Sequence, residues 1–323
     1  MGSGGTSSTT RGVPRRSTPD IVRVFITGAT GVLGRSAVRR FVEAGHDVTG
    51  VARGETKAAA VDRAGASPVD VDLFDADGLR NAVAGHEVVC HFASHIPRLT
   101  RGAMRWAWRE NDRIWTEAAR NLVDAAVAAG AGTYVHQSSG FMYTDGGDHW
   151  LSEDAPIDPP PHGLAVLEGE QQAHRFSAGG GNAVSLRFGL FYGPTAGTTH
   201  DFLRLARRTH VSVPGRPDSY YTSIHTEDLG TASVAALRAP TGAYNVVDDD
   251  PVTRREYADV VAQALGIKKL RVPPVPRLKR MDYLLRSQRV SNRRFRQATG
   301  WAPLFRSVRE GWPALIAALP AAD

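Results

Sequence analysis

The chain of 323 residues holds a single cysteine, Cys90, so no disulfide can close within it. That scarcity fits a reducing compartment and sets the expectation of a cytoplasmic protein. No Cys/His group has the spacing of a zinc site, so no metal is expected. No apolar run approaches the roughly 20 residues that cross a bilayer, so no membrane partner is expected either. The first 20 residues, rich in Gly, Ser, Thr and Arg, lack the apolar stretch of a secretory signal and read as a disordered tail. Internal repeats and long low-complexity segments are missing too. What remains, 42% hydrophobic and 22% charged residues, is the composition of an ordinary globular protein. The net charge is +6, and eleven Lys/Arg with one acid, Asp282, lie between Lys268 and Arg296. Such a stretch can bind nucleic acid. Three prolines interrupt it and it carries no nucleic-acid motif, so it reads as a solvated helix face plus loop, with no nucleic-acid partner.

The apolar pattern alternates. "DIVRVFITGATG" is a β-branched run ending in a glycine turn, and "RSAVRRFVEAG" after it is a helix stopped by Gly45. "HDVTGVAR", "EVVCHFAS" and "TYVHQSS" read as strands, and "NDRIWTEAARNLVDAAVAAG" as an amphipathic helix closed by Gly130. Strands apolar on both faces, alternating with helices, predict an α/β fold: a doubly wound parallel sheet of the Rossmann kind. The expected division is a tail over 1–20, a dinucleotide-binding core over 21–190, and a smaller substrate-binding region over 191–323. That last region is interleaved with late core strands and forms a small C-terminal cap.

In "TGATGVLGR", Gly28, Gly31 and Gly34 follow a strand and open a helix. Glycine permits the tight turn and the close approach of a pyrophosphate. The helix start supplies N–H donors from the Thr30, Val32 and Leu33 stretch. The second strand ends "VTGVARG", where NAD-binding folds usually place an acid for the ribose 2′-hydroxyl. Here Arg53 follows the uncharged Ala52. A guanidinium suits a 2′-phosphate, and Arg35 can add a second contact. NADP(H) is therefore expected in preference to NAD(H).

TGxxGxxG resembles the short-chain dehydrogenase/reductase superfamily, and the later motifs are similar to its extended branch, the NAD-dependent epimerase/dehydratase family. "VDLFD" looks like that family's adenine-side segment, which implies Asp72 and Leu73 beside the adenine. "VVCHFAS" resembles its strand next to the cofactor, which implies Phe92, Ala93 and Ser94 there. "YVHQSSGFMYT", "LRFGLFYGP", "SIHTEDL" and "VSNRRFRQATGWAP" match further landmarks in order, over about residues 21–317. The resemblance implies a serine that binds the substrate oxygen, carried onto Ser139. It also implies a tyrosine proton carrier and a lysine four residues later, and here the chain departs. "HGLAVLEGE" puts His162 and Val166 at those two places.

The two departures read as a set. Tyrosine titrates near 10 and needs a neighbouring cation to work near neutral pH, whereas histidine titrates near 6.5 and does not. His162 is then a self-sufficient acid/base and Val166 a permitted loss. The competing reading makes His162 a solvated residue at a helix start. Tyr143 is the other candidate proton carrier. Nucleotide-sugar members are similar to "LRxxNxYGP", with arginine near the later histidine; Leu190 and Tyr221 replace those polar anchors here. Together with His95, Trp106, Phe141 and Met142, they suit an apolar or aromatic small-molecule substrate. The expectation is an NADP(H)-dependent oxidoreductase of specialised small-molecule metabolism, acting on an apolar or polycyclic carbonyl or alcohol. A homodimer is compatible with it. A redox-neutral isomerase, dehydratase or cyclase, and a non-catalytic dinucleotide sensor, stay open beside it.

Overall fold

A computed structural model describes residues 21–97, 104–160, 163–275 and 279–319. Seven parallel strands form the main sheet in the order β11-β7-β5-β4-β1-β2-β3. Their ranges are β1 (Arg23–Thr27), β2 (Asp47–Val51), β3 (Ser67–Val69), β4 (Val88–His91), β5 (Thr133–Ser139), β7 (Asn182–Phe188) and β11 (Gly242–Val246). Three small pairs sit outside it: β6 (Trp150–Leu151) with β13 (Arg289–Val290), β8 (Leu190–Tyr192) with β10 (Ser223–His225), and β9 (Tyr220–Tyr221) with β12 (Val252–Thr253). The expected doubly wound parallel sheet is present.

Strand pleating sorts the core into two layers. On β1, Val24 and Ile26 face α1 (Val32–Glu43) and α8 (Thr226–Ala235), while Phe25 faces α3 (Ala76–Val83), α5 (Ala119–Ala128) and α6 (Leu164–Ala178). The helices α2 (Glu55–Arg63) and α10 (Arg293–Thr299) flank the first layer, where Val61 and Phe295 enter its core. A third apolar core joins α7 (Gly197–Thr209), α9 (Arg254–Ala264) and α11 (Val308–Ala318) through Leu203, Tyr257, Val261 and Trp312.

The single amphipathic helix expected over residues 111–130 is more divided than its pattern suggests. A 3₁₀ turn, Arg105–Trp108, leads into α4 (Arg109–Arg113), then a π turn, Ile114–Ala118, then α5. In the π turn the Ile114 carbonyl takes its backbone bond from Ala119 N, five residues on, instead of from the regular i+4 donor. The Ile114 carbonyl accepts from the Nε2 of buried His91 at 3.1 Å. That bond fixes the imidazole tautomer: Nε2 carries the proton, and Nδ1 accepts from the Thr27 hydroxyl at 2.9 Å.

Candidate active site

The strand-ends of β1, β4 and β5 lie side by side and define one crevice. At the end of β1 the backbone of Gly28 has φ +69°. A Cβ there would stand 2.5 Å from the Phe92 carbonyl oxygen, and one on Gly34 would stand 2.0 Å from the Gly28 oxygen. Only glycine allows strand, turn and helix to close this tightly. No side chain caps α1, whose N-cap is Gly31, so the N–H groups of its first turn are left for a ligand. Thr30 and Val32 are half-buried and Leu33 is in the core. This cradle fits the diphosphate of a dinucleotide.

Along its rim, Ala52 is buried, while Arg53 is exposed and forms no ion pair among the described residues. Arg35 is exposed too, and its Nη2 donates to the Thr195 carbonyl at 3.1 Å, which ties it to the loop after β8. Asp72 is exposed and accepts from Phe74 N at 3.0 Å, shaping the adenine-side turn; Leu73 packs in the second core layer. Phe92 and Ala93 are buried under the cradle, and Trp115 Nε1 donates to the Ala93 carbonyl at 3.2 Å. Ser94 and His95 are exposed. His95 N donates to the buried Asn111 Oδ1 at 2.9 Å, and its ring lies 3.6 Å from Glu110.

Two consecutive serines end β5 and point to opposite sides. Ser138 faces inward and donates to Glu170 Oε1 at 2.5 Å. Ser139 is half-buried, and its Oγ accepts from Phe141 N at 3.2 Å. Its own proton is spent on no described residue, so it can donate to a substrate oxygen. Phe141 packs on Tyr221 with ring centroids 6.0 Å apart, and both are half-buried, as is Leu190. Trp106 is 55% exposed on the 3₁₀ turn.

His162 lies outside the described residues. The structure places the other two members of that constellation inward. Val166 is 2% exposed and packs with Ala93, Ile114, Trp115, Met142 and Ala165. Met142, at 1% exposure, belongs to this cluster and not to the crevice surface. Tyr143 is fully buried; its hydroxyl donates to Asn245 Oδ1 at 2.6 Å and accepts from Arg187 Nη1 at 3.0 Å. Burial pushes its pKa up, against the pull of Arg187. Arg187 in turn forks onto Glu170, with Nε and Nη2 each 2.8 Å from a carboxylate oxygen. Glu153 Oε1 accepts from Asn245 N at 2.8 Å. None of Glu170, Arg187 or Asn245 was singled out from sequence. The available signal was Arg187 itself, a guanidinium inside the apolar strand "VSLRFGL" that has to be paired there.

The sheet order and the glycine cradle define a dinucleotide-binding α/β protein with a second, C-terminal core. Residues 24–247 match the model of the NAD dependent epimerase/dehydratase family, and the chain belongs to that family. It is thus an enzyme of oxidoreductase or epimerase type. A 3-diazoavenalumate denitrifying reductase from Streptomyces sp is 33% identical over 305 residues, covering 90% of this chain and 99% of that one. A 2-alkyl-3-oxoalkanoate reductase from Shewanella oneidensis is 24% identical over 278 residues, covering 79% of this chain and 68% of that one. The Bordetella bronchiseptica enzyme WbmG, solved in complex with NAD, shares the fold with a TM-score of 0.74 at 21% identity, covering 94% of this chain and 95% of that one. No helix among the described residues is long and apolar enough to cross a membrane.

Proposed function

We propose that the protein is an NADP(H)-dependent reductase of specialised small-molecule metabolism, acting on the carbonyl of an apolar or aromatic substrate. The observation that carries this reading is Ser139: a hydroxyl at the strand-ends beside the glycine cradle, with its own proton uncommitted. Two relatives named as reductases support the redox direction. The uncommitted Arg53 supports the 2′-phosphate.

Gly28, Gly31, Gly34 and the first turn of α1 would hold the diphosphate, and Arg53 the 2′-phosphate. The bound nicotinamide supplies a hydride. Ser139 orients the substrate oxygen and stabilises the negative charge that develops on it. His162 supplies the proton to that oxygen without needing a lysine, since its ordinary pKa already lies near neutrality. Tyr143 serves as part of the internal network with Arg187 and Asn245. The apolar cluster around Val166 keeps water from that side of the crevice.

The test is NADPH oxidation, followed by its ultraviolet absorbance, against a panel of aromatic and alicyclic ketones and aldehydes. Ser139→Ala is expected to lose about 10²–10³ in turnover while its melt and NADPH affinity stay near wild type. Substrate conversion with no change in NADPH would replace this reading with isomerase, dehydratase or cyclase chemistry in the same crevice. Dinucleotide binding without conversion of any kind would favour the sensor.

A further inference from the structure

Arg254 is only 4% exposed, yet no carboxylate lies within ion-pairing distance of it among the described residues. Buried guanidinium groups ordinarily carry a partner. This one is held by neutral oxygens alone. Its Nε donates to the Pro214 carbonyl at 3.0 Å, and its Nη1 donates to Ser219 Oγ at 2.6 Å and to the carbonyls of Arg286 and Tyr220 at 3.2 and 3.3 Å. Nη2, with two of the five N–H donors, has no acceptor among the described residues. The loop is built around the group: Gly215 takes φ +148°, and a Cβ on it would stand 2.4 Å from Arg254 Nε.

The surrounding charges do not cancel it. Arg216 is paired with Asp145 at 3.1 Å, and Arg286 is paired with Asp158. Arg254 is the surplus cation. It also opens α9, the end of a helix whose dipole disfavours a positive charge. Burial, the largest influence, lowers its pKa from the ordinary guanidinium value, and the opposing pull of Tyr221 and Asp145 does not restore it. Its Cζ lies 4.9 Å from the centre of the Tyr221 ring, and Tyr221 packs on Phe141, two residues from Ser139. The cation thus packs on the ring of Tyr221, one of whose aromatic neighbours, Phe141, stands beside Ser139.

We infer that Arg254 anchors a carboxylate carried by the substrate, so that the substrate class is an aromatic or apolar acid and not a neutral molecule. This rests on the reading that the crevice beside Ser139 is the substrate site. The apolar body lies along Phe141 and Tyr221, with its reducible oxygen at Ser139 and its carboxylate on the open Nη2 edge. The two N–H groups of that edge match one carboxylate oxygen or both.

Calorimetric titration of the NADPH-bound enzyme decides it, with two acid–amide pairs as probes: cinnamate against cinnamamide, and decanoate against decanamide. The acid of at least one pair is expected to bind about tenfold or more tightly than its amide. Arg254→Gln is expected to erase that preference, and Arg254→Lys to keep part of it. Equal affinity within both pairs, or no binding of either acid, overturns the inference. So does a folded Arg254→Gln protein that still prefers the acid. If Arg254→Gln does not fold, a crystal of the wild-type complex with the bound acid decides instead: a carboxylate seated beyond hydrogen-bonding reach of Arg254 overturns it. Turnover is not read here. A protein that prefers acids through Arg254 but never oxidises NADPH sustains the subsite and refutes the reductase. A reductase indifferent to charge does the reverse.

Discussion

At the scale of single residues, the site is defined by which polar groups remain uncommitted. Arg53 has no ionic partner among the described residues, and Arg35, beside it in the sequence argument, is tied to Thr195. On the NADP(H) reading proposed above, the 2′-phosphate contact is assigned to Arg53. Arg53→Ala is expected to weaken NADPH binding roughly ten- to hundredfold and to leave NADH binding unchanged. Parallel titration of both dinucleotides measures it, and an equal loss for the two would refute the assignment. Val166 makes the complementary case. Its place in the cluster with Met142 and Trp115 would set an ammonium among apolar side chains. Val166→Lys is expected to cost on the order of 3 kcal/mol near neutral pH, because a buried unpaired cation must be desolvated or discharged. The folded-state pKa of the new lysine would be depressed. The penalty is then present below that pKa and fades as pH rises toward the unfolded value near 10. Urea unfolding at neutral and alkaline pH reads the difference. The double variant His162→Tyr with Val166→Lys is expected to lose activity; a gain would mark the site as a decayed copy of the family pair.

Among elements, the segment from Arg105 to Ala128 does more than cover the sheet. Its π turn presents the Ile114 carbonyl to His91 and aims Trp115 Nε1 at the Ala93 carbonyl. Both bonds pin the end of β4, and Phe92 and Ala93 there press against the Gly28 turn. Trp115→Phe removes one bond and is expected to cost about 1–2 kcal/mol in stability and several-fold in NADPH affinity. Thermal melts and dinucleotide titration check it together; lost stability with unchanged affinity would deny the pin any role in the cofactor site. The elements themselves were legible where the pattern is local. β-branched runs apolar on both faces marked β1, β4 and β5, and Gly28 to Gly34 marked the turn into α1. The π turn was not legible, because one extra residue barely disturbs a 3.6-residue stripe, and its side-chain contact is with a histidine on another strand. The Glu170–Arg187–Tyr143 network was hidden for a similar reason. Its members are far apart in the chain, and only the packing of α6 on β5 and β7 brings them together. The family pattern located Ser139 by spacing, but pleating alone decides that Ser138 faces Glu170 while Ser139 keeps its proton.

The whole molecule carries an acid sensitivity that follows from three buried histidines. Desolvation lowers the pKa of His91 and of His225 to about 4, and that of His136 well below its ordinary value. His136 has no exposed surface, stacks between His91 and Tyr134, and offers neither ring nitrogen a hydrogen bond. A histidine held neutral by folding contributes its full share above pH 6.5. Below that value the unfolded chain binds protons that the folded one refuses, so stability falls by about 1.4 kcal/mol per pH unit for each such group, until its folded pKa is reached. Buried acids act in the opposite sense. Asp228, raised to about 6 chiefly by burial, takes up its proton in the folded state first and adds stability as pH falls from 6 toward 3.8. Glu153 and Asp248 are raised in the same direction, mainly by burial. A measured acid slope is therefore a difference between the two groups of residues, and one substitution is needed to isolate a histidine. His136→Leu keeps an apolar group of similar bulk beside Gly169 and removes two unsatisfied ring nitrogens. It is expected to match or exceed wild-type stability near pH 8. Its advantage should then widen by about 1.4 kcal/mol for each unit below 6.5, since every opposing acid titrates equally in both proteins. Urea unfolding of the two proteins at about pH 8, 6 and 5 measures the gap. A gap that stays constant across that range would mean that His136 finds a way to be protonated in the folded protein, and the interior beneath β5 would then have to admit water.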